Sequence, residues 1–193
     1  MAAPLHTAWF NGSFMPLAEV RISPLDRAFL FGDAIYEVIP VHAGQAFLLD
    51  PHLDRLERSL HELGIRNPCR RAEWIDIING LIEQNGGGNL AVYLQVSRGA
   101  DIKRDHAFPP ESVRPTVFGM VSTMAEPHPD QLGLRAITCA DQRWSRCDIK
   151  STALLANLLA RQAAREAGAG EAILLRDGYL TEGSASSVII VEG

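Results

Sequence analysis

Lysine is scarce in this chain: of its 18 lysines and arginines only Lys103 and Lys150 are lysines. Lys150 stands in "RWSRCDIKSTALLANLLA", at the point where a polar turn gives way to an apolar segment that reads as a helix. Arginine stays charged in any protein environment, whereas a desolvated lysine amine can lose its proton and act as nucleophile or base. Further on, "GYLTEGSASSVIIV" sets a carboxylate, Glu182, directly before small hydroxyl residues. That is a pattern suited to a protonated ring nitrogen beside an anion. Taken singly, each residue has a plainer reading. Lys150 could be an exposed lysine at a helix start, and Glu182 a solvated turn glutamate.

The elements that must position these groups fall into two regions. Strand-like pieces run around Trp9 to Phe14 and Val20 to Ile22, followed by "DAIYEVIPVHAGQAFLL", two β-rich runs joined by a turn at Gly44. With Asp50 as N-cap and Pro51 at the first helical position, Leu53, Leu56, Leu60 and Leu63 recur at helical spacing until Gly64. A second amphipathic helix carries Trp74, Ile77, Ile78 and Leu81 on one face and stops at "NGGGN". "LAVYLQVSRG" alternates as a strand and "PTVFGMVS" reads as another, with the polar loop "ADIKRDHAFPPESVR" between them.

Residues 123–133, "TMAEPHPDQLG", carry two prolines and little apolar character, which predicts a linker. The expected organisation is therefore a small N-terminal α/β domain over 1–122, a linker over 123–133, and a second region over 134–193. That region reads as strand (Leu134 to Ala140), helix (Ser151 to Ala167), strand (Ala172 to Leu175), an Asp177-Gly178 turn and a last strand (Ser187 to Val191). The fold class is α/β or α+β, with no internal repeat.

Composition narrows the partners. A hydrophobic share of 47% is ample for a core, and a net charge of -5 supplies no basic field for nucleic acid. No run approaches a membrane span, and the N-terminus lacks the basic flank and apolar stretch of a signal peptide, so the expectation is a cytoplasmic protein acting on small molecules. Cys69, Cys139 and Cys147 are odd in number, widely spaced and without a CxxC, which argues against a disulfide framework or a zinc site.

Together, "FGDAIYEVIPVHAGQAFLLDPHLDRLERSL", "VSRGAD", "RWSRCDIKS", "EAILLRDG" and "LTEGSASSV" resemble the fold type IV aminotransferases, which use pyridoxal 5′-phosphate, and among them most of all the D-amino acid aminotransferases. The resemblance runs through essentially the whole chain, in order. It implies a two-domain fold type IV architecture, pyridoxal phosphate as cofactor, and amino transfer between a D-amino acid and a 2-oxo acid. Branched-chain aminotransferases and aminodeoxychorismate lyase share the fold and the lysine and stand as alternatives.

By that resemblance Lys150 would hold the cofactor covalently, yield it to the substrate amine, and then move the proton at the substrate α-carbon. Glu182 would pair with the pyridine nitrogen, and Arg55 would bind the phosphate through its forked guanidinium. Tyr36, Arg104 and His106 would hold the substrate carboxylate, the last two reaching into a neighbouring subunit's site, so that a homodimer is implied. Members of the family continue well beyond the position of Gly193. The expectation is thus a C-terminal domain lacking its final part, and a further alternative is a non-catalytic half needing a second chain.

Overall fold

The computed structural model describes residues 3–124 and 133–192. Its elements form two compact units, one comprising Met1–Glu126 with Asp148–Ala153, the other Pro127–Cys147 with Leu154–Gly193. Most of the expected linker, residues 125–132, lies outside the described residues.

The first unit is built on a six-stranded antiparallel sheet. In chain order its strands are β1 (Thr7–Phe10), β2 (Ser13–Pro16), β3 (Ala34–His42), β4 (Gln45–Ala46), β5 (Leu90–Ser97) and β6 (Thr116–Thr123), arranged β2-β1-β6-β5-β3-β4. The short helix α1 (Arg27–Phe31) precedes β3, and α2 (Leu49–Glu62) and α3 (Arg71–Gln84) lie between β4 and β5. Alternation decides what faces the helices. Ile35, Glu37, Ile39 and Val41 of β3 are buried, together with Leu94 and Val96 of β5 and Val121 of β6. They meet Leu53, Leu56 and Leu60 of α2 and Trp74, Ile78 and Leu81 of α3 in one core. The opposite phase, including Tyr36, Tyr93 and Phe118, is only half-buried.

Three expectations for this unit are corrected. Val20 to Ile22 form no strand. Helix α2 begins at Leu49, with Leu48 as N-cap, rather than after Asp50. Pro51 still falls within the first turn, where the N–H it lacks has no intrahelical partner, and Asp50 turns outward to Arg71 at 2.8 Å. The third correction concerns the surroundings of Lys150. Residues 151–154 are not helical: the Tyr36 N–H donates to the Lys150 carbonyl and the Thr152 N–H to the Ala34 carbonyl, both at 2.9 Å, around an antiparallel bridge between Ile35 and Ser151. The edge of β3 left open beyond β4 takes up this segment, and Asp148–Ala153 packs with the first unit.

The second unit holds β7 (Ala136–Ala140), α4 (Leu155–Glu166), β8 (Glu171–Arg176) and β9 (Tyr179–Gly183). β7 and β8 run parallel, and β8 and β9 form a hairpin through Asp177 and Gly178, both at positive φ. An Asp-Gly pair suits such a turn because each central residue must be left-handed. The apolar run Ser187 to Val191, expected as a last strand, pairs with no strand among the described residues, and Ile189, Ile190 and Val191 are exposed. An apolar β-rich run becomes a strand only where a neighbouring edge completes its hydrogen bonds.

Candidate active site

Lys150 is half-buried and fixed from below. Ile149 sits in the core, the Lys150 carbonyl is bound to β3, and its N–H lies 3.4 Å from Ser59 Oγ on α2. Its side chain runs over the sheet's second face, with Nζ 4.2 Å from the centre of the Tyr36 ring. Among the described residues no carboxylate pairs with it. Lys103, by contrast, is exposed and bound to Asp105 at 3.0 Å. Tyr36 stacks on Tyr93, with ring centres 5.7 Å apart. Burial pushes the Tyr93 hydroxyl up to about 12, so it remains a donor, which it gives to Gln95 at 2.7 Å.

On the other face of β3, one residue from Tyr36, Glu37 is fully buried in the phase of Ile35 and Ile39. It receives Arg55 Nε at 2.6 Å and Arg55 Nη2 at 2.7 Å. His52 lies 2.9 Å from Glu37 Oε2 through Nδ1, a hydrogen bond in the tautomer that protonates that nitrogen. Burial works to raise the Glu37 pKa, and the bonds from Arg55 and His52 more than offset it, so the group is held below the usual carboxylate range. The pair consumes one edge of the guanidinium and leaves the Nη1 side of Arg55 uncommitted among the described residues. Sequence reading missed Glu37, although an acid in the inward phase of an otherwise apolar strand is a legible signal that a buried cation must meet it.

The polar loop between β5 and β6 carries Arg104 and His106, both exposed. Their contacts are with Phe31 rather than with Tyr36. The Arg104 guanidinium carbon is 4.9 Å from that ring's centre, and the His106 ring lies 5.3 Å away.

In the second unit Glu182 is paired with Arg143, which also binds Asp141 through Nε and Nη2 at 3.0 Å each. The hydrogen bonds from Arg143, with a further one from Thr181, overcome burial and hold Asp141 far below the carboxylate range. A register shift in the β8–β9 hairpin leaves Thr181 unpaired, with Leu174 opposite Glu182 and Leu175 opposite Leu180; a bulge of this kind re-aims the side chains beside it. The serines that follow are largely committed. Ser184 and Ser186 donate to the two oxygens of Glu171. Burial tends to raise the Glu171 pKa, and these donors bring it down to about 2.

The residues present fit a phosphorylated aldehyde cofactor. The first unit offers a lysine amine with no carboxylate partner among the described residues, set on an aromatic platform, and a forked cation aimed by a buried acid; the second, taken by itself, offers a carboxylate on a bulged hairpin. Comparison with known proteins gives the chain a family. The chain belongs to the amino-transferase class IV family, whose model matches residues 34–193. It is 40% identical over 184 residues to a D-alanine aminotransferase of Bacillus licheniformis, covering 95% of this chain and 64% of that protein. It is 36% identical over 185 residues to one of Staphylococcus epidermidis, covering 95% and 65%. Among solved structures it is similar to a T.th. branched-chain amino acid aminotransferase complexed with N-(5'-phosphopyridoxyl)-L-glutamate, with a TM-score of 0.83 and 26% identity over 93% of this chain and 62% of that one. The chain thus spans about 65% of the length of the curated relatives it matches. Among the described residues no helix is long and apolar enough to cross a membrane.

Proposed function

We propose that this chain takes part in pyridoxal-phosphate-dependent transamination between a D-amino acid and a 2-oxo acid. The observation that carries the reading is Lys150: a lysine amine with no carboxylate partner among the described residues, tied by its main chain to the edge of β3 and placed over Tyr36. The preference for a D-amino acid rests on the relatives named D-alanine aminotransferase, which are closer in sequence than the branched-chain enzyme.

Bound here, pyridoxal 5′-phosphate supplies an aldehyde that exchanges amines and a ring that accepts the electrons released at the substrate α-carbon. The chain's own residues divide the remaining work. Lys150 would hold the aldehyde through its amine and would take and return the proton at the substrate α-carbon, one amine serving as nucleophile and base. Arg55 offers its free edge to the phosphate, and Glu37 keeps that edge pointed by holding the other. Glu182, fixed by Arg143, would accept a hydrogen bond from the pyridine nitrogen. Tyr36, Arg104 and His106 hold the substrate carboxylate, the latter two from a neighbouring copy in a homodimer. The setting is cytoplasmic.

A second reading, a half that acts only when another polypeptide completes it, is favoured by the exposed apolar side chains of the second unit, Leu155, Leu158 and Leu159 of α4 with Ile189 and Ile190.

The test is borohydride reduction of the chain with pyridoxal phosphate, peptide mapping, and a D-alanine to pyruvate assay. Label on Lys150 and its disappearance in Lys150→Ala are expected. Label on Lys103, or unchanged labelling in Lys150→Ala, would overturn the assignment. Labelling of Lys150 without turnover, with turnover restored by a relative's C-terminal segment, is the outcome for the second reading.

A further inference from the structure

The loop between β5 and β6 is exposed at its tip, yet its main chain is tied to a buried ionic group that the proposed reaction does not use. Arg27, at the start of α1, is 5% exposed and Arg98, just after β5, 8%. Both bind Asp33. Arg27 Nε is 2.7 Å from Asp33 Oδ2, while Arg98 Nε and Nη2 are 2.8 and 2.9 Å from its two oxygens. Burial raises the Asp33 pKa, and hydrogen bonds from Arg98 and Arg27 lower it further than burial lifts it. Two buried cations share one carboxylate, so one positive charge must be met elsewhere.

It is met by the loop itself. Arg27 Nη1 donates to the carbonyls of Asp105 at 2.7 Å and Ala107 at 3.2 Å, and Nη2 to that of His106 at 3.4 Å. Arg98 reaches the carbonyls of Leu63 and Gly64 at the end of α2, at 2.7 and 2.9 Å, and lies 3.6 Å from the centre of the Phe108 ring. A buried cation without its acceptors is costly. The loop's path is therefore set by where these guanidinium groups stand. The Arg27 contacts run to main-chain oxygens, so the side chains of residues 104 and 106, which lie beside Phe31, take no part in the clamp.

We infer that Arg27, held by Asp33 and Arg98, is a positioning residue that sets the 104–106 segment and so the affinity of the enzyme for the substrate's carboxylate. The inference rests on the reading of Arg104 and His106 given above. Arg27 touches neither substrate nor cofactor and acts only through the loop.

The loop carries its own reporter, since trypsin cleaves after Lys103 and Arg104. In Arg27→Lys the charge opposite Asp33 is kept but a single ammonium cannot span three carbonyls. Tryptic nicking of the full chain at these two bonds is expected to rise about tenfold, the change for a local opening made easier by about 1.4 kcal/mol, while cleavage elsewhere stays as in the wild type. In an active preparation the KM for D-alanine is expected to rise by a similar factor, with kcat and pyridoxal phosphate affinity held. The rise should vanish when the substitution is made in an Arg104→Ala background. Arg27→Gln, which keeps a single donor nitrogen, replaces Arg27→Lys if the latter does not fold. Unchanged nicking overturns the clamp. A KM rise that persists in the Arg104→Ala background overturns the route through the loop. If Arg104→Ala alone leaves KM unchanged, the carboxylate reading fails and takes the substrate half of the inference with it, whereas the nicking rate judges the clamp by itself.

Discussion

Consider replacing each member of the Glu37–Arg55 pair in turn. The Glu37 side chain is 1% exposed and that of Arg55 is 41%, so the two do not suffer equally when separated. In Arg55→Ala the carboxylate stays buried with only His52 at 2.9 Å, and an unpaired buried charge costs about 3 to 5 kcal/mol. In Glu37→Gln the orphaned guanidinium can turn to water, so the loss is discounted for solvent screening to about 1 to 2 kcal/mol. The ordering follows from burial alone: Arg55→Ala is expected to be the more damaging by about 2 kcal/mol. Adding Glu37→Gln to Arg55→Ala should recover stability, because it removes the stranded charge. Urea unfolding followed by far-ultraviolet circular dichroism reads the three differences at pH 7. The sign with pH is fixed too. A carboxylate with a depressed folded-state pKa stabilises fully above its ordinary value and loses that contribution as pH falls through the folded one. The penalty of Glu37→Gln should therefore shrink toward low pH. Equal costs for the two single variants, or no recovery in the double, would refute the claim that a buried acid is what orients Arg55.

The second unit should show an acid dependence of its own. Glu171, lowered from 4.5 to about 2, contributes on the order of 3 kcal/mol above pH 4.5 that is lost as pH falls through 2, so Glu171→Gln should flatten the acid limb of that unit's unfolding curve; an unchanged limb would contradict the serine bonds assigned to it. Gly99 sits at φ +99° with its missing Cβ aimed at the Arg114 carbonyl, so Gly99→Ala should cost about 3 kcal/mol or more from combined clash and backbone strain, against about 1 kcal/mol from backbone strain alone for Gly44→Ala, at φ +80° in open space, on the same melting assay; equal losses would refute the clash. Leu158 and Leu159 are 63% and 59% exposed, and changing both to Glu should reduce self-association in sedimentation velocity while moving stability by no more than about 0.5 kcal/mol per site; unfolding instead would mean these leucines are already covered.

What could be read in the sequence and what could not divides along a physical line. Periodicity reports which phase of a strand is buried, so the alternation of β3 and β5 and the leucine and tryptophan faces of α2 and α3 were legible. Glu37 was legible by the same rule, as a charge in an apolar phase, but not its partner, since Arg55 meets it only because α2 crosses β3. Sequence pattern says nothing about which edge a short extended segment will join. The residues after Lys150 look locally helical, yet Ser151 and Thr152 join Lys150 in completing the open edge of β3, and it is this edge, not a helix mouth, that holds the lysine. The converse failure is Ser187 to Val191, whose composition demands a strand where no described edge receives it. The loop with Arg104 and His106 was visible as a loop, but its fixed path depends on Arg27, far upstream in the chain. Side-chain type, in short supply as with lysine here, identified where chemistry could occur, while the groups that aim those side chains are tertiary neighbours whose selection no local window contains. A search for such supports in related chains should therefore begin from charges in apolar phases, because each obliges the fold to bring a counter-charge to a known face of a known strand.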